Sequence, residues 1–486
     1  MDIETTHNLI LGDCTQSEMN LHDLPAIDLL ITSPPYFNAP FDYKELFLNY
    51  ESFLALIDQF AKIFHHKMKP GAITAINIDD MLIKGIKYPI ISDTIKIFRK
   101  AGYKLKGRII WRKPEGYIRI SRRSGVLLQN PYPMYFYPDN LLENILIFQK
   151  LPGKKSEKYK TLILEDIWEI VNVLPLKGRL ETNIAAFPDE LPKRLIQTFS
   201  TKGSLICDPF LGSGTTMKVA RELGRNSIGI EKIKELEHVI RRKVGFSREN
   251  LWNYFDKDEL ITDVISFDGN YTESQINKQE KDHSLLHLAI DPDFDETTDY
   301  KFHLIILDCR KTIKTYLNEE LSENLNLLHP GRILIVYYDS LDEHNKNFSL
   351  DQLFDFIMSH GIRLRDKITV QHKAEHQWEI KTNFQNNAIF NHNYYEVFIF
   401  QKGKFVYKSK TREEKQACLI DKQQFQKEKW FLSLWDFRTS KRYECDQIVT
   451  DRITELFLYS NETVGSNLTE ISCSKRHFIL QNLEVM

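Results

Sequence analysis

Paired cysteines are missing from this sequence. The six present, Cys14, Cys207, Cys309, Cys418, Cys445 and Cys473, are scattered, with no CxxC pair and no Cys/His spacing of the kind that holds zinc. They read as reduced thiols, and no metal is expected. Long apolar runs are missing too: no segment stays apolar for the roughly 18 residues that a membrane span needs. Met1-Asp2-Ile3-Glu4-Thr5 lacks the basic region and apolar stretch of a signal peptide, so a soluble, cytoplasmic protein is expected. Charge of one sign is absent as well. Lys and Arg total 65 against 67 Asp and Glu, a formal net charge of -2, so any nucleic-acid surface has to be a local basic patch.

What is present is an ordinary globular composition, 42% hydrophobic and 27% charged, in 486 residues. That length predicts two domains of roughly 100 to 250 residues each. The first half alternates short apolar runs with helical patterns, which predicts a parallel sheet covered by helices on both faces. Strands are expected at 8–11, 28–32, 72–78, 106–111, 144–148, 204–207 and 226–230, and helices at 53–65, 89–100, 188–199 and 217–223. Lys69-Pro70-Gly71 and Ala101-Gly102-Tyr103 read as turns that return the chain to the sheet.

After Phe246 the sequence becomes polar and poorly periodic. The expected division is therefore 1–246, a polar linker at 247–299 and a second domain at 300–486. Markers of the first domain recur in order in the second. Leu304-Ile305-Ile306-Leu307-Asp308 stands for Leu29-Leu30-Ile31-Thr32-Ser33, and His329-Pro330-Gly331 for Lys69-Pro70-Gly71. His360-Gly361-Ile362 stands for Ala101-Gly102-Tyr103, Phe398-Ile399-Phe400-Gln401-Lys402 for Leu146-Ile147-Phe148-Gln149-Lys150, and Leu434-Trp435-Asp436 for Ile167-Trp168-Glu169. A diverged duplication is expected.

Two motifs carry chemistry. In the second, an apolar strand runs into Asp208-Pro209-Phe210-Leu211-Gly212-Ser213-Gly214 and then a helix opening at Thr215. A strand, glycine turn and helix let the backbone approach a ligand at the carboxyl end of the strand. A phosphate ligand would call for Lys after the glycines, and Thr215-Thr216 stand there instead; Glu231, closing the next strand, could accept both hydroxyls of a ribose. In the first motif, Thr32-Ser33-Pro34-Pro35-Tyr36 follows a strand directly. Two prolines remove backbone donors and fix their own dihedrals, leaving a rigid row of carbonyl acceptors. An exocyclic base amine is a poor nucleophile whose hydrogens need such acceptors: the Ser33 hydroxyl and the Pro34 carbonyl would supply them, and Tyr36 would stack on a base turned out of the duplex.

With both motifs in place the chain resembles the β group of S-adenosylmethionine-dependent DNA amino-methyltransferases, over residues 1–246. The resemblance implies a Rossmann-like α/β methyltransferase fold, a seven-stranded mixed but mostly parallel sheet with helices on both faces, followed by a degenerate methyltransferase-like α/β domain. It implies S-adenosylmethionine as cofactor, lying across Asp208 and Glu231, with Asp13, Pro209, Phe210, Gly212, Ser213, Gly214 and Thr215 around it and residues 183–188 lining the pocket. Ser before Pro-Pro-Tyr favours the cytosine N4 amine, with adenine N6 as the alternative; no Pro-Cys pair exists for carbon-5 chemistry. Double-stranded DNA is the implied partner, in a restriction-modification or related system with a cognate endonuclease. Since such enzymes often pair, the second domain could be a built-in partner, giving either a monomer with an internal pseudo-dimer or a homodimer.

DNA contacts are expected from the loops at 112–140 and 151–180. Arg112, Lys113, Arg119, Arg122 and Arg123 would meet phosphates and Tyr117 a base, with Tyr132, Tyr135 and Tyr137 nearby; Lys104, Lys106 and Arg108 read equally well as a solvated strand face. The second domain keeps no chemistry in this reading: Cys309-Arg310-Lys311 replaces Pro34-Pro35-Tyr36, and no glycine loop follows Gly465. A nuclease built on Asp291-Pro292-Asp293 and Glu379-Ile380-Lys381, or a non-enzymatic DNA-binding module, are the competing readings.

Overall fold

A computed structural model describes residues 5–15, 25–38, 46–114, 125–152, 163–171, 187–245, 264–266, 301–310, 319–339, 349–373, 389–391, 393–403, 411–430, 432–458, 462–466 and 479–482. In the first half the strands are β1 (His7–Leu11), β2 (Ile27–Thr32), β3 (Met68–Ile78), the hairpin β4 (Met81–Ile83) and β5 (Ile86–Tyr88), β6 (Tyr103–Arg112), β7 (Leu142–Lys150), β8 (Ile163–Glu165), β9 (Ile167–Glu169), β10 (Leu205–Asp208), β11 (Asn226–Glu231) and β12 (Val264–Ser266). The helices are α1 (Tyr50–Lys67), α2 (Ile90–Lys100), α3 (Gly125–Gln129), α4 (Glu190–Phe199), α5 (Thr215–Glu222) and α6 (Glu237–Val244). All seven expected strands and all four expected helices form.

They build a nine-stranded sheet in the order β12-β1-β11-β10-β2-β3-β7-β6-β9, antiparallel only where β7 meets β3 and β6. The count exceeds seven because two short strands, β9 and β12, are added at the edges. Alternation along β2 shows why the expected runs are continuously apolar: Leu30 packs under α1 and α2, while Leu29 and Ile31 pack under α4 and α5. Both faces are covered.

Two expectations need correction. Lys69-Pro70-Gly71 is not a turn but a bulge inside β3, where the register with β2 jumps between Ile27 and Leu29 and Gly71 takes φ 81°. The polar 247–299 segment is not purely linker, because Val264–Ser266 pairs in parallel with β1.

The second half contributes β13 (Phe302–Asp308), β14 (Leu328–Tyr338), β15 (Ile362–His372), β16 (Ile389–Asn391), β17 (Tyr394–Lys402), β18 (Leu434–Phe437), β19 (Thr463–Ser466) and β20 (Ile479–Asn482). Its helices are α7 (Glu319–Asn326), α8 (Leu350–Met358), α9 (Arg412–Ala417), α10 (Lys422–Lys427) and α11 (Arg442–Phe457). The seven-stranded sheet runs β20-β19-β13-β14-β17-β15-β18, which is the order β11-β10-β2-β3-β7-β6-β9 strand for strand. Every neighbouring pair also has the same orientation as its counterpart.

The bulge of β6 between Leu105 and Gly107 reappears in β15 between Leu364 and Asp366. Gln149 Nε2 donates to Gly71 O at 3.1 Å, and Gln401 Nε2 to Gly331 O at 3.3 Å. Arg194 lies 5.5 Å from the Trp168 ring centre, and Arg452 lies 5.1 Å from that of Trp435.

One apolar cluster joins the halves, running from Phe53, Phe60 and Phe98 to Leu353, Phe354 and Ile357. Lys96 and Arg99 of α2 pair with Asp355 and Asp351 of α8 across this seam. Residues 125–140, expected in a DNA loop, are committed elsewhere: Leu127, Met134 and Phe136 sit in the second half's core, and Arg365 donates to the carbonyls of Met134 and Phe136 at 2.6 and 2.9 Å. Among the described residues no helix is long and apolar enough to cross a membrane.

Candidate active site

The end of β2 and the end of β10 lie side by side, and a single carboxylate ties them. Asp208 accepts from Thr32 Oγ1 at 2.7 Å, from Thr216 Oγ1 at 2.6 Å and from the Phe210 amide at 3.2 Å. Asp208 thus locks the residue before Ser33 to the glycine loop and to the first turn of α5. Burial nevertheless pushes its pKa up to about 6, against the pull of those three hydrogen bonds.

Immediately after Thr32, the Ser33 hydroxyl donates to the Asn77 carbonyl at 3.1 Å. Its proton is committed and Asn77 Nδ2 approaches one lone pair at 3.5 Å, which leaves the other for an incoming donor. Pro34 is buried, while Ser33, Pro35 and Tyr36 are half-buried. The Tyr36 hydroxyl donates to Glu143 Oε2 at 2.8 Å and accepts from Asn77 Nδ2 at 3.0 Å. Asn77 Nδ2 also reaches Glu143 Oε2 at 2.8 Å, and Glu143 Oε1 takes the Lys113 ammonium. Burial and the neighbouring Glu143 charge drive the Tyr36 pKa well above the ordinary phenol, so the ring is neutral and held by its oxygen.

In the loop, Gly212 and Gly214 have φ 58° and 89°, a region that disfavours any side chain. On β11, a Cβ at Gly229 would stand 2.4 Å from Met217 Sδ and 2.5 Å from Leu211 Cδ2, so the loop and α5 press on bare backbone there. Glu231 accepts from the Gly212 amide at 2.7 Å and the Ile233 amide at 2.8 Å, one bond to each oxygen. Burial raises its pKa against those bonds. Lys243 of α6 donates to Ser213 Oγ at 2.8 Å and Thr215 Oγ1 at 2.6 Å, so a lysine does meet this loop, from a helix that motif spacing did not suggest. Phe210 packs edge-on against Phe60, with ring centres 5.4 Å apart. Asp13 accepts from Thr15 N and Oγ1 at 2.9 and 2.6 Å and from Lys232 at 3.0 Å; these partners outweigh burial and hold its pKa low.

Asp208 and Glu231 are 2% and 7% exposed, and among the described residues neither has a cationic partner. Two buried carboxylates left without a counter-charge at the strand ends suit a cationic ligand, and each Glu231 oxygen keeps a lone pair for a hydroxyl donor.

The expected DNA-facing cations fare differently. Lys113 is 4% exposed and belongs to the Tyr36 site through Glu143, because an ammonium buried at that depth needs a carboxylate rather than a phosphate from solvent. Arg112 is taken up by Glu169 at 3.0 Å and Asp436 at 3.7 Å. Arg108 is buried against Glu396 of the second half. Tyr137 carries the Arg365 guanidinium 4.3 Å from its ring centre. Tyr117, Arg119, Arg122 and Arg123 lie outside the described residues, as do 183–186, 291–293 and 379–381.

Asn77 and Glu143 were not anticipated. Their signal is a polar residue at the carboxyl end of an otherwise apolar strand, Ile76-Asn77-Ile78, and the start of another, Leu142-Glu143-Asn144.

A family described as DNA methylase matches residues 27–242. A Type II methyltransferase, M.MjaI of Methanocaldococcus jannaschii, is 32% identical over 52% of this chain and 95% of its own length. Another, M.MthZI of Methanothermobacter thermautotrophicus, is 30% identical over 50% of this chain and 78% of its own. Among solved structures, the protein TTHA0409 of Thermus thermophilus aligns with a TM-score of 0.39 at 24% identity, covering 54% of this chain and all of that one.

Proposed function

The chain belongs to the family of S-adenosylmethionine-dependent DNA amino-methyltransferases, and from that premise we propose that it methylates the exocyclic N4 amine of cytosine in double-stranded DNA, on a base turned out of the helix. The observation that carries this reading is the Thr32–Asp208–Thr216 link, which holds the Ser33-Pro34-Pro35-Tyr36 segment against the glycine loop.

When bound, S-adenosylmethionine supplies an electrophilic methyl group on a sulfonium cation. Asp208 and Glu231 offer the buried negative charge that such a cation favours, and Glu231 has free lone pairs for ribose hydroxyls. Ser33 Oγ, its own proton given to Asn77, accepts one amine hydrogen, and the Pro34 carbonyl accepts the other. Both interactions strengthen as positive charge grows on the nitrogen, which is where they lower the barrier. Tyr36, fixed through its hydroxyl by Glu143 and Asn77, presents its ring to the flipped base. Ser33 before Pro-Pro-Tyr supports N4 over adenine N6.

The matching strand orders support a duplication in which the second half has lost its chemistry. By register, Asp308 stands where Ser33 does, Tyr337 for Asn77 and Tyr395 for Glu143. That space is filled by Arg310, which pairs with Asp308 and Asp446 and lies 4.8 and 4.6 Å from the centres of the Tyr337 and Tyr395 rings. The internal partner supports a monomer with one active site per chain.

Incubation with tritiated S-adenosylmethionine and a mixed-sequence DNA library, followed by nucleoside analysis, should give labelled N4-methylcytosine. Label in N6-methyladenine would transfer the proposal to adenine, and no label in any base would end it. Ser33→Ala should lower kcat by about 100-fold with methyl-donor affinity unchanged, measured by single-turnover kinetics and calorimetry.

A further inference from the structure

We propose that Lys367, in the second half, is a positioning residue for methyl transfer at Ser33–Tyr36; this rests on the reading of that site given above. Lys367 lies on β15 with its side chain 6% exposed, and its ammonium reaches across the seam to Asp79 Oδ1 at 3.3 Å and Asp80 Oδ2 at 3.6 Å. Both carboxylates are buried, and they follow β3 directly, two and three residues beyond Asn77.

Asp79 is a structural knot in the wall of the site. It accepts from Asn144 Nδ2 at 3.0 Å and Asn140 Nδ2 at 2.7 Å, and Asn144 is the chain neighbour of Glu143 on β7. Asp80 accepts from the Ile91 amide at 3.0 Å, fixing the start of α2. The second half also grips the same wall through Ser433, whose amide donates to Asp139 O at 3.1 Å and whose hydroxyl donates to Asn140 Oδ1 at 3.3 Å. Asn77 and Glu143, which together hold the Tyr36 hydroxyl, are thus backed by a layer whose charge is balanced from the other half of the chain.

Lys367 and Arg108 occupy the same place after the equivalent bulges of β15 and β6: Lys367 is in register with Phe398, and Arg108 with Leu146. Each reaches across the seam to an acid of the opposite half, Arg108 to Glu396 and Lys367 to Asp79. Of this related pair, only Lys367 abuts the wall of the proposed site.

Burial already raises the Asp80 carboxyl, while Lys367 and Lys87 hold Asp79 low against its own burial; without Lys367 the pair protonates more readily or moves. The charged groups around the pair are Lys367 and Asp366 from β15, Lys87 from β5, Asp93 from α2, and Glu143 with Lys113 beyond Asn144. Lys87 already lends its charge to both carboxylates while held by Asp366 at 3.0 Å, and Lys367 is the cation in contact with the pair. Either response loosens the Asn144 and Asn140 contacts and shifts the frame that holds Tyr36.

In the full-length protein, Lys367→Met should lower kcat at saturating DNA and methyl donor by about 10- to 100-fold, the scale of a small misplacement of reacting groups. Methyl-donor affinity should stay within about twofold, since the donor-side residues are untouched. The acid limb of the kcat–pH profile should move upward, because a carboxylate deprived of a nearby cation protonates at higher pH. Lys367→Arg should restore most of kcat. If Lys367→Met does not fold, Lys367→Gln, which removes the charge but keeps a hydrogen-bond donor beside Asp79, carries the same test. Unchanged kcat per folded molecule, or a fall with no movement of the pH profile and no rescue by Arg, overturns the proposal. A wild-type protein that labels no base would instead defeat the reading of the site itself.

Discussion

Arg108→Met should cost about 3–5 kcal/mol of unfolding free energy, the range for leaving one member of a buried ion pair alone. Arg108 is 3% exposed and Glu396 is 0% exposed, and their pairing holds the guanidinium pKa above its ordinary value against the burial that lowers it. The contact joins β6 to β17, so the cost falls on the seam between the halves. The pair is also imperfectly satisfied: Arg108 Nη1 and Glu396 Oε1 are buried without hydrogen-bond partners among the described residues. A desolvated pair with unmet valences is the kind whose joint replacement is tolerated, so Arg108→Met with Glu396→Leu should recover most of the loss. Urea denaturation of the two single variants and the double variant, read as a double-mutant cycle, measures the coupling. A single variant within about 1 kcal/mol of wild type would show that the seam does not depend on this contact. Because Arg108 pairs with Glu396 and not with the residues that hold Tyr36, methyl transfer per folded molecule should be unaffected.

That arginine also marks where the sequence stops being readable. Lys104, Lys106 and Arg108 alternate along one strand and look like a solvated face, yet Arg108 is buried because its partner arrives from 288 residues away. Local patterns carried the strands, the helices and the two motifs, since the hydrophobic period and proline or glycine chemistry act within a few residues. They did not carry the bulge at Gly71, which a Lys-Pro-Gly triplet imitates as a turn, nor β12, which exists only because β1 offers an edge. Lys113 was legible as a cation and not as a buried one: its environment is set by Glu143, on a strand antiparallel to the one it follows. The repeat was visible as ordered markers, but Arg310 filling the vacated space depends on Asp446 from a helix with no marker at all.

Asp208→Asn should make the protein more stable at pH 8 and a worse enzyme. In the folded chain burial raises the Asp208 pKa from 3.8 to about 6, so the folded state disfavours the ionised form. A raised carboxyl pKa costs nothing below the unfolded value, begins to cost as pH rises past 3.8, and reaches its full cost above about 6. Roughly two pKa units correspond to about 3 kcal/mol. Asparagine removes that cost while its carbonyl can still accept from Thr32 and Phe210, and the Thr216 hydroxyl can turn to accept from the new amide. The variant should therefore gain up to about 3 kcal/mol at pH 8 and nothing at pH 3.5, as followed by thermal melts across pH. Activity should go the other way, because the buried charge is what favours a sulfonium cation at the end of β10 over the neutral thioether left after transfer. Affinity for S-adenosylmethionine should fall by about tenfold or more, the scale of one lost charge interaction in a partly solvated pocket, while affinity for S-adenosylhomocysteine should change little. Equal losses for both ligands would mean that Asp208 acts only through the geometry of the loop. A gain in stability without any loss of donor affinity would place the charge too far from the sulfonium to matter.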